Sequence, residues 1–256
     1  MSINTLNPDS MRNHTKIVIL IRILQILGPV SGIMLALFLF WGSFTIIDLG
    51  LGSTDALLLD AFLSIIFFIQ HSIFVRRGFK RWLGKYMPDM YHNAFYGLTS
   101  VIALLFVLVF WQKSQTIVAS ADGIIFWLLR FLFFLSLAGF FWGAKSLGSG
   151  SFDALGVQPL MRYIRNRQAK PQQIIAKGAY RLVRHPLYLF ILVLIWSCPV
   201  LTLDRLVFNI MWSVWIVIGT YLEDRDLHRE FGNQYLEYSS RVPMLIPYRI
   251  PGNKPV

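Results

Sequence analysis

Cysteine is nearly absent from this chain: Cys198 is the only one among 256 residues. A single cysteine excludes a disulfide within the chain and any metal site built from several cysteines. Because Cys198 lies in an apolar run, we interpret it as a small core residue. We predict no metal site.

Charge is also scarce, since charged residues make up 14% of the chain and hydrophobic residues 55%. A soluble domain of this length does not carry so many long apolar runs, whereas about 20 apolar residues in a helix cross the hydrocarbon core of a bilayer. The composition therefore predicts an all-α, polytopic membrane protein. We expect no signal peptide, because the apolar run that begins at Ile17 is too long for one and shows no small-residue cleavage site.

The apolar runs predict six membrane-spanning helices. They cover about Ile17–Ile47, Ala56–Phe74, Asn93–Trp111, Gly123–Ala144, Pro186–Leu201 and Leu206–Leu222. With these spans, all but three of the 24 Lys and Arg residues (Lys113, Arg130 and Arg205) fall on the side of the N-terminus. By the positive-inside rule, both termini are expected in the cytoplasm.

The net charge of +11 does not indicate nucleic acid, because the basic residues lie in alternate loops and not in a stripe interleaved with aromatic residues. We see no internal repeat, so residues 1–256 are expected to form one membrane domain in contact with lipid. The oligomeric state stays open.

Two charged clusters flank the last pair of apolar runs. The basic cluster is Arg181, Arg184 and His185, and the acidic cluster is Glu223, Asp224 and Asp226. If the two runs form a helical hairpin, both clusters return to the same membrane surface. Charged groups held at such a boundary indicate function by default, because the membrane makes them costly.

These clusters belong to a longer pattern in the C-terminal part of the chain. Its residues are Gly178, Tyr180, Arg184, His185, Pro186 and Tyr188, then Glu223, Phe231, Gly232, Tyr235, Tyr238, Val242, Pro243 and Leu245 to Pro247. The pattern resembles the signature of integral-membrane methyltransferases related to isoprenylcysteine carboxyl methyltransferase and phospholipid methyltransferases.

The upstream part sharpens this resemblance. Residues 70–72 (Gln-His-Ser), Tyr96, Ser100 and 110–112 (Phe-Trp-Gln) resemble NnrU-like membrane proteins. Together with residues 151–160, the combination is most similar to bacterial methanethiol S-methyltransferases. The resemblance divides the domain into an NnrU-like four-helix half, 1–146, and a methyltransferase half, 147–256. It implies S-adenosyl-L-methionine as cofactor, a small thiol as substrate and the bacterial inner membrane as location.

The resemblance also implies the site residues. The cofactor site would consist of Gly178, Tyr180, Arg184, His185, Pro186, Tyr188, Leu189, Glu223 and Asp224. The guanidinium of Arg184 suits a carboxylate, and Glu223 suits the ammonium or the sulfonium of the cofactor. Candidates on the acceptor side are Phe152, Asp153, Gly156, Gln158 and Phe190.

Two positions depart from the family pattern. Phe190 replaces a small residue and could narrow the access route, and Asp224 replaces a second glutamate. Phe190 puts the acceptor class in question, because it leaves a lipid or isoprenylcysteine acceptor open beside the conversion of methanethiol to dimethyl sulfide.

Three residues are assigned catalytic roles: His71, Arg184 and His185. His71 has further interpretations, as a helix-packing histidine, as a base that activates the thiol, or as an axial haem ligand. The last defines the rival prediction, a haem protein of the NnrU and 15-cis-zeta-carotene isomerase type. Plainer readings also exist, since Arg184 is typical of a surface anchor and Tyr188 of an interfacial aromatic belt.

Overall fold

The apolar runs of the sequence form a bundle of helices in the computed structural model, which describes residues 8–148, 153–168 and 173–248, with side chains from residue 13. The helices are α1 (Pro8–Trp41), α2 (Ser53–Phe74), α3 (Arg77–Leu83), α4 (His92–Phe110), α5 (Gly123–Ser146), α6 (Val157–Ile164), α7 (Pro186–Trp196), α8 (Leu203–Phe231) and α9 (Asn233–Arg241). Short 3-10 helices cover Asp89–Tyr91 and Gly178–Arg181, and two strands, β1 (Ile117–Ser120) and β2 (Val200–Thr202), complete the described elements.

The membrane prediction is confirmed. Within the described ranges, five helical stretches are long and apolar enough to cross a bilayer: Asn13–Trp41, Ser53–Phe74, Asp89–Phe110, Gly123–Ser146 and Leu203–Phe231. The chain is an all-α polytopic membrane protein. We call the end of the bundle where α2 and α5 finish the basic end, and the end where α1 and α4 finish the sheet end.

The predicted fifth span is helical over only part of its length. α7 has 11 residues and is therefore about 16 Å long, roughly half the thickness of a hydrocarbon core. Beyond it, β2 pairs antiparallel with β1, with Ile117 opposite Thr202 and Ser120 opposite Val200. Because β1 follows α4 at the sheet end, the chain does traverse the bundle from Pro186 to β2, finishing in extended backbone.

The first helix ends earlier than the predicted Ile47. It stops at Trp41, and Gly42 adopts φ +94°. A glycine in this left-handed region is a common helix terminator because it carries no Cβ.

Two arginines bind the last carbonyls of α1. Arg205, fully buried, donates from Nη1 to the carbonyl of Phe38 at 2.9 Å and from Nη2 to that of Leu39 at 3.5 Å. Arg130 donates to the carbonyl of Phe40 and lies 4.1 Å from the centroid of its ring. The final carbonyls of a helix have no partner within the helix. Arg130 and Arg205, two of the three basic residues outside the positive-inside pattern, therefore provide hydrogen bonds for the carbonyls at the end of α1.

The last span continues past its predicted end at Leu222. α8 extends without a break to Phe231, so the acidic cluster lies on helix and not in a loose tail. α9 then folds back, where Tyr235, Tyr238 and Val242 form a small buried cluster. This brings residues 239–244, which we call the C-terminal segment, against the start of α7, where the amides of Arg184 and His185 donate to the carbonyls of Pro243 and Met244.

An aromatic core holds α2 and α8 together. Trp212 stacks on Phe67 with ring centroids 5.0 Å apart, and on Phe208 at 4.6 Å. Offset and edge contacts of this kind contribute about 0.5–1.5 kcal/mol per pair beyond area burial. The column continues through Trp215 and Phe68, whose rings stack at 4.8 Å, toward the basic end.

Candidate active site

Glu223 and Asp224 face different surroundings at the basic end. Successive residues of an α-helix point about 100° apart. Asp224 is buried, whereas Glu223 is exposed. The two neighbouring acids therefore form two separate centres.

Asp224 is the acceptor of a buried network. Arg184 donates to it from Nε (2.8 Å to Oδ1) and Nη2 (2.9 Å to Oδ2). The Tyr235 hydroxyl donates to Oδ1 at 2.6 Å, and Nε2 of His185 lies 3.2 Å from the same oxygen. Charge-assisted, bidentate contacts of this kind are among the strongest hydrogen bonds in proteins.

The remaining contacts of Arg184 fasten the C-terminal segment. Its Nη1 donates to the carbonyls of Ser239 (3.1 Å) and Val242 (2.6 Å), and its backbone N–H donates to that of Pro243 (2.8 Å). Burial opposes the charge of Arg184, but Asp224 outweighs it and raises the pKa of the guanidinium. Arg184, which the sequence predicts as a cofactor contact, thus uses its guanidinium to bind Asp224 and the C-terminal segment.

Glu223 accepts from one tyrosine and acts electrostatically on two others. Tyr188 of α7 donates to its Oε2 at 2.6 Å. Its charge also acts on the hydroxyls of Tyr96 on α4 and Tyr180 in the 3-10 helix. Burial and then the charge of Glu223 raise the pKa of Tyr180. The centre therefore combines one accessible carboxylate with phenol groups from three elements.

His71 adjoins this centre through Tyr96. The Tyr96 hydroxyl lies 2.6 Å from Nε2 of His71 and 3.3 Å from Nδ1. The imidazole packs against the rings of Phe67 (5.4 Å) and Trp215 (5.2 Å). The structure thus joins His71 to Tyr96, a residue to which the sequence assigned no role.

Gly178 and Pro186 place the segment that carries the site. Gly178 has φ +57°, and a Cβ there would lie 2.2 Å from Oγ of Ser146. The same Oγ accepts from the backbone N–H of Ala179 at 3.2 Å. Pro186 occupies the first turn of α7, where its missing N–H is no loss. Leu189, half-buried, follows in the same helix and donates its amide to the His185 carbonyl.

The predicted acceptor-side residues occupy another part of the basic end. Asp153 accepts from the amides of Val157 and Gln158, both at 2.8 Å, and so caps α6. Gly156, at φ +68°, lies against the backbone of Asn93, where a Cβ would approach to 2.1 Å. Leu155 of the same loop lies against Gly28 of α1. These contacts therefore hold the loop on α1 and α4, and none of them involves Glu223. Phe152 lies outside the described residues.

Phe190 faces α5. A Cβ on Gly139 would lie 2.3 Å from its ring, so the two helices meet closely at this point. The described contact is with α5 and not with the Glu223 centre. Its role toward a substrate stays a prediction, as do those of Asp153, Gly156 and Gln158.

Comparison with known proteins identifies the family. The chain is 34% identical over 193 residues to methanethiol S-methyltransferase 2 of Bradyrhizobium diazoefficiens, covering 75% of this chain and 74% of the relative. It is 34% identical over 200 residues to the methanethiol S-methyltransferase of Pseudomonas sp. (strain GM41(2012)), covering 76% and 74%. The chain belongs to the methanethiol S-methyltransferase family.

Membership of the methanethiol S-methyltransferase family makes this chain a methyltransferase and confirms the resemblance predicted from the sequence. Nurim of Rattus norvegicus is also similar, at 22% identity over 176 residues, which is 66% of each chain. No family model matches the chain, and no solved structure matches it.

A large depression in the surface of this methyltransferase lies away from the centre just described. A depression of about 550 Å³ opens at the sheet end between the loops that follow α1 and α4. A smaller, apolar groove of about 270 Å³ lies between α2 and α4. No group of three or more His, Cys, Asp or Glu side chains that could hold a metal ion occurs in the part of the chain that the structure describes.

Proposed function

We propose that this methyltransferase transfers a methyl group from S-adenosyl-L-methionine to a small thiol, methanethiol being the acceptor named in its relatives and dimethyl sulfide the product. The observation that carries this proposal is the exposed Glu223 carboxylate, which accepts from Tyr188 and lies apart from the Asp224 network. When bound, the cofactor supplies a methyl group on a sulfonium cation. The chain has to attract that cation, align it with the thiol and exclude water.

Glu223 is the acid best suited to the cation. Its neighbour Asp224 already accepts from Arg184 and Tyr235, whereas Glu223 is exposed and accepts from Tyr188. Aromatic faces attract cationic ligands, and the rings of Tyr188 and His185 stack at 5.8 Å beside the carboxylate. These residues fit the ammonium or the sulfonium of the cofactor.

Arg184 supports this site from behind. Four hydrogen bonds tie its guanidinium to Asp224, Ser239 and Val242. We therefore assign it the role of holding the C-terminal segment against the start of α7, with Asp224 as its anchor. His185 takes part in the same network through its contact with Asp224.

The acceptor reaches the centre from the lipid in this proposal. The apolar groove between α2 and α4 includes Thr99, one helical turn from Tyr96. At its end Gln70, the neighbour of His71, donates to the Thr99 hydroxyl at 3.0 Å. A small apolar thiol that dissolves in lipid suits such a route, and a few per cent of a thiol is already thiolate near neutral pH.

The orientation follows from the charges. We place the protein in the bacterial inner membrane with its basic end toward the cytoplasm. The exposed Glu223 then faces the compartment in which the cofactor is made, and the apolar groove faces the lipid.

The haem alternative fits His71 less well. An axial ligand needs space for a porphyrin beside its ring. The rings of Phe67 and Trp215 pack against the imidazole of His71, and Tyr96 lies 2.6 Å from its Nε2. This geometry favours a hydrogen-bonded histidine.

Calorimetry on the detergent-purified protein tests the proposal. We expect saturable binding of S-adenosylmethionine and of S-adenosylhomocysteine, and formation of dimethyl sulfide from methanethiol in headspace analysis. Glu223→Gln should weaken binding of the cationic cofactor about tenfold, the equivalent of about 1.4 kcal/mol. Glu237→Gln, the same change at an exposed position of α9, is the control.

Two results would overturn the proposal. Absence of nucleotide binding by the parent protein, with a Soret band in its spectrum, would move the function to haem chemistry. Equal affinities of Glu223→Gln and the parent would remove Glu223 from the site. Methylation of a lipid or prenylated cysteine in place of methanethiol would change only the acceptor.

A further inference from the structure

Tyr96 contacts His71 beside the aromatic column at the basic end. Its hydroxyl lies 2.6 Å from Nε2 of His71, and the carboxylate of Glu223 is near enough to act on it electrostatically. Tyr96 comes from α4, His71 from the last turn of α2 and Glu223 from α8. The phenol of Tyr96 thus joins α4 to the last turn of α2.

Methylation of a thiol releases a proton, and this site makes its release difficult. A thiol ionises less readily away from water, because burial disfavours the charged form. The rings of Phe67 and Trp215 pack against His71, with centroids 5.4 and 5.2 Å from that of the imidazole, so its surroundings on these sides are apolar. A nearby base would therefore increase the fraction of reactive thiolate.

We propose that His71 is the base that takes the thiol proton and that Tyr96 is the positioning residue that fixes its tautomer; this inference rests on the function proposed above. With the proton of the neutral imidazole on Nε2, that N–H donates to the Tyr96 oxygen at the shorter distance, 2.6 Å, and the lone pair of the more distant Nδ1 (3.3 Å) accepts the thiol proton. A hydrogen bond at one ring nitrogen sets the state of the other in this way.

The atoms and electrons balance in this step. The thiol S–H bond breaks, its proton passes to Nδ1 of His71, and the bonding pair stays on sulfur. That pair forms the new S–C bond to the methyl carbon, whose bond to the sulfonium sulfur breaks with its electrons left on that sulfur. The imidazolium then returns one proton to water. A thiol and a sulfonium give two thioethers and one proton.

The groups around His71 suit a neutral base. The contact from α8 is the uncharged Trp215, and the titratable group on α4 is Tyr96. Tyr188 of α7 and Glu223 of α8, whose side chains are hydrogen-bonded at 2.6 Å, both act electrostatically on Tyr96. The carboxylate of this pair is exposed to solvent.

The first test is the state of the imidazole without any ligand. In nitrogen-resolved NMR of the histidine-labelled protein, His71 is assigned among the five histidines by the loss of its signal in His71→Ala. We expect the Nε2–H tautomer in the parent and a mixture of tautomers in Tyr96→Phe. Tyr221→Phe, at an exposed position of α8, should leave the signal unchanged.

The second test is the pH profile of thiol methylation. Tyr96→Phe should lower kcat about tenfold near neutral pH, leave the affinity for S-adenosylhomocysteine unchanged, and lose less activity at higher pH, where each unit gives about ten times more thiolate. His71→Ala should lose more activity with the same pH dependence. Tyr221→Phe is again the control, and melting temperatures verify folding.

The outcomes separate the two proposals. A loss in Tyr96→Phe that is equal at every pH, with an unchanged tautomer, would reduce Tyr96 to a packing role, and full activity of His71→Ala would remove the base. If the parent neither binds the nucleotide nor methylates a thiol, the proposed function fails. In that case the base role falls with it, while the NMR result still decides whether Tyr96 sets the tautomer.

Discussion

Asp224 accepts both arms of the Arg184 guanidinium, with Nε–Oδ1 at 2.8 Å and Nη2–Oδ2 at 2.9 Å. Because Nη1 of Arg184 also donates to Ser239 and Val242, one ion pair joins α8, the start of α7 and the C-terminal segment. Glu223, the next residue along the helix, lies outside this pair. Asp224 therefore has a structural role, whereas Glu223 is available to a ligand.

Replacement of the buried Asp224 should destabilise the fold more than replacement of an exposed acid on the same helix. Asp224→Asn leaves Arg184 with its charge in a largely buried position, and breaking a buried pair in this way costs about 3 kcal/mol. Asp226→Asn, two residues further along α8 and 43% exposed, should cost less than about 1 kcal/mol. Denaturant unfolding in detergent measures both, and similar midpoints would contradict a structural role for Asp224.

The Tyr235 hydroxyl gives the same network a dependence on alkaline pH. Burial and then the hydrogen bond to Asp224 raise the pKa of Tyr235. The unfolded chain ionises near pH 10 while the folded protein keeps the proton. The contribution of Tyr235 to the free energy of unfolding is therefore complete below about pH 10. Above that pH it declines by about 1.4 kcal/mol per pH unit.

Tyr235→Phe tests this dependence. The variant should be about 2 kcal/mol less stable at neutral pH, because a hydrogen bond to a charged group is lost. Above about pH 10 the difference from the parent should shrink. Tyr180 and Tyr238, whose pKa values burial also raises, keep their contribution in both proteins. A constant difference between the two proteins up to strongly alkaline pH would show that Tyr235 does not titrate with folding.

Gly178 should tolerate no side chain. Gly178→Ala places a Cβ at positive φ and 2.2 Å from the Ser146 hydroxyl. Gly148→Ala is a matched control, since Gly148 also has positive φ but no atom within 4 Å of the added Cβ. We expect the control to cost about 1 kcal/mol and Gly178→Ala about 2 kcal/mol more. Melting temperatures compare them, and equal shifts would show that Ser146 moves aside.

Arg205 should be structural despite its place in a membrane helix. Its fully buried guanidinium binds carbonyls of Phe38 and Leu39 at the end of α1 and of Ile195 in α7. Arg205→Met should leave those carbonyls unpaired and lower stability by about 3 kcal/mol. Lys113→Met, in the exposed loop after α4, should change stability by less than about 0.5 kcal/mol. If Arg205→Met unfolds like the parent, water can replace the guanidinium.

The sequence predicts the class and the spans of this protein well, because apolar runs and basic loops are local signals. It also locates the charged ends of α7 and α8. It does not predict the partners of Arg184 and Asp224, since Tyr235 and Val242 reach them only after α9 folds back. Tyr96 was missed as a site residue for a similar reason: a tyrosine in an apolar run is typical of many membrane helices, and only the crossing of α2 and α4 brings it to His71.

Phe190 and Gly139 should behave as a complementary pair. The Phe190 ring lies where a Cβ on Gly139 would be, 2.3 Å away. Gly139→Ala should therefore cost about 2 kcal/mol through overpacking, whereas Gly32→Ala, with no atom within 4 Å, should cost nothing. Phe190→Leu should recover part of the loss in the Gly139→Ala background, and a double-mutant cycle of melting curves measures the coupling. Additive effects would contradict the contact.

A screen of thiols of increasing size tests whether Phe190 also limits the size of the acceptor. Because the Phe190 side chain packs against α5, we expect Phe190→Leu to methylate the same range of thiols as the parent.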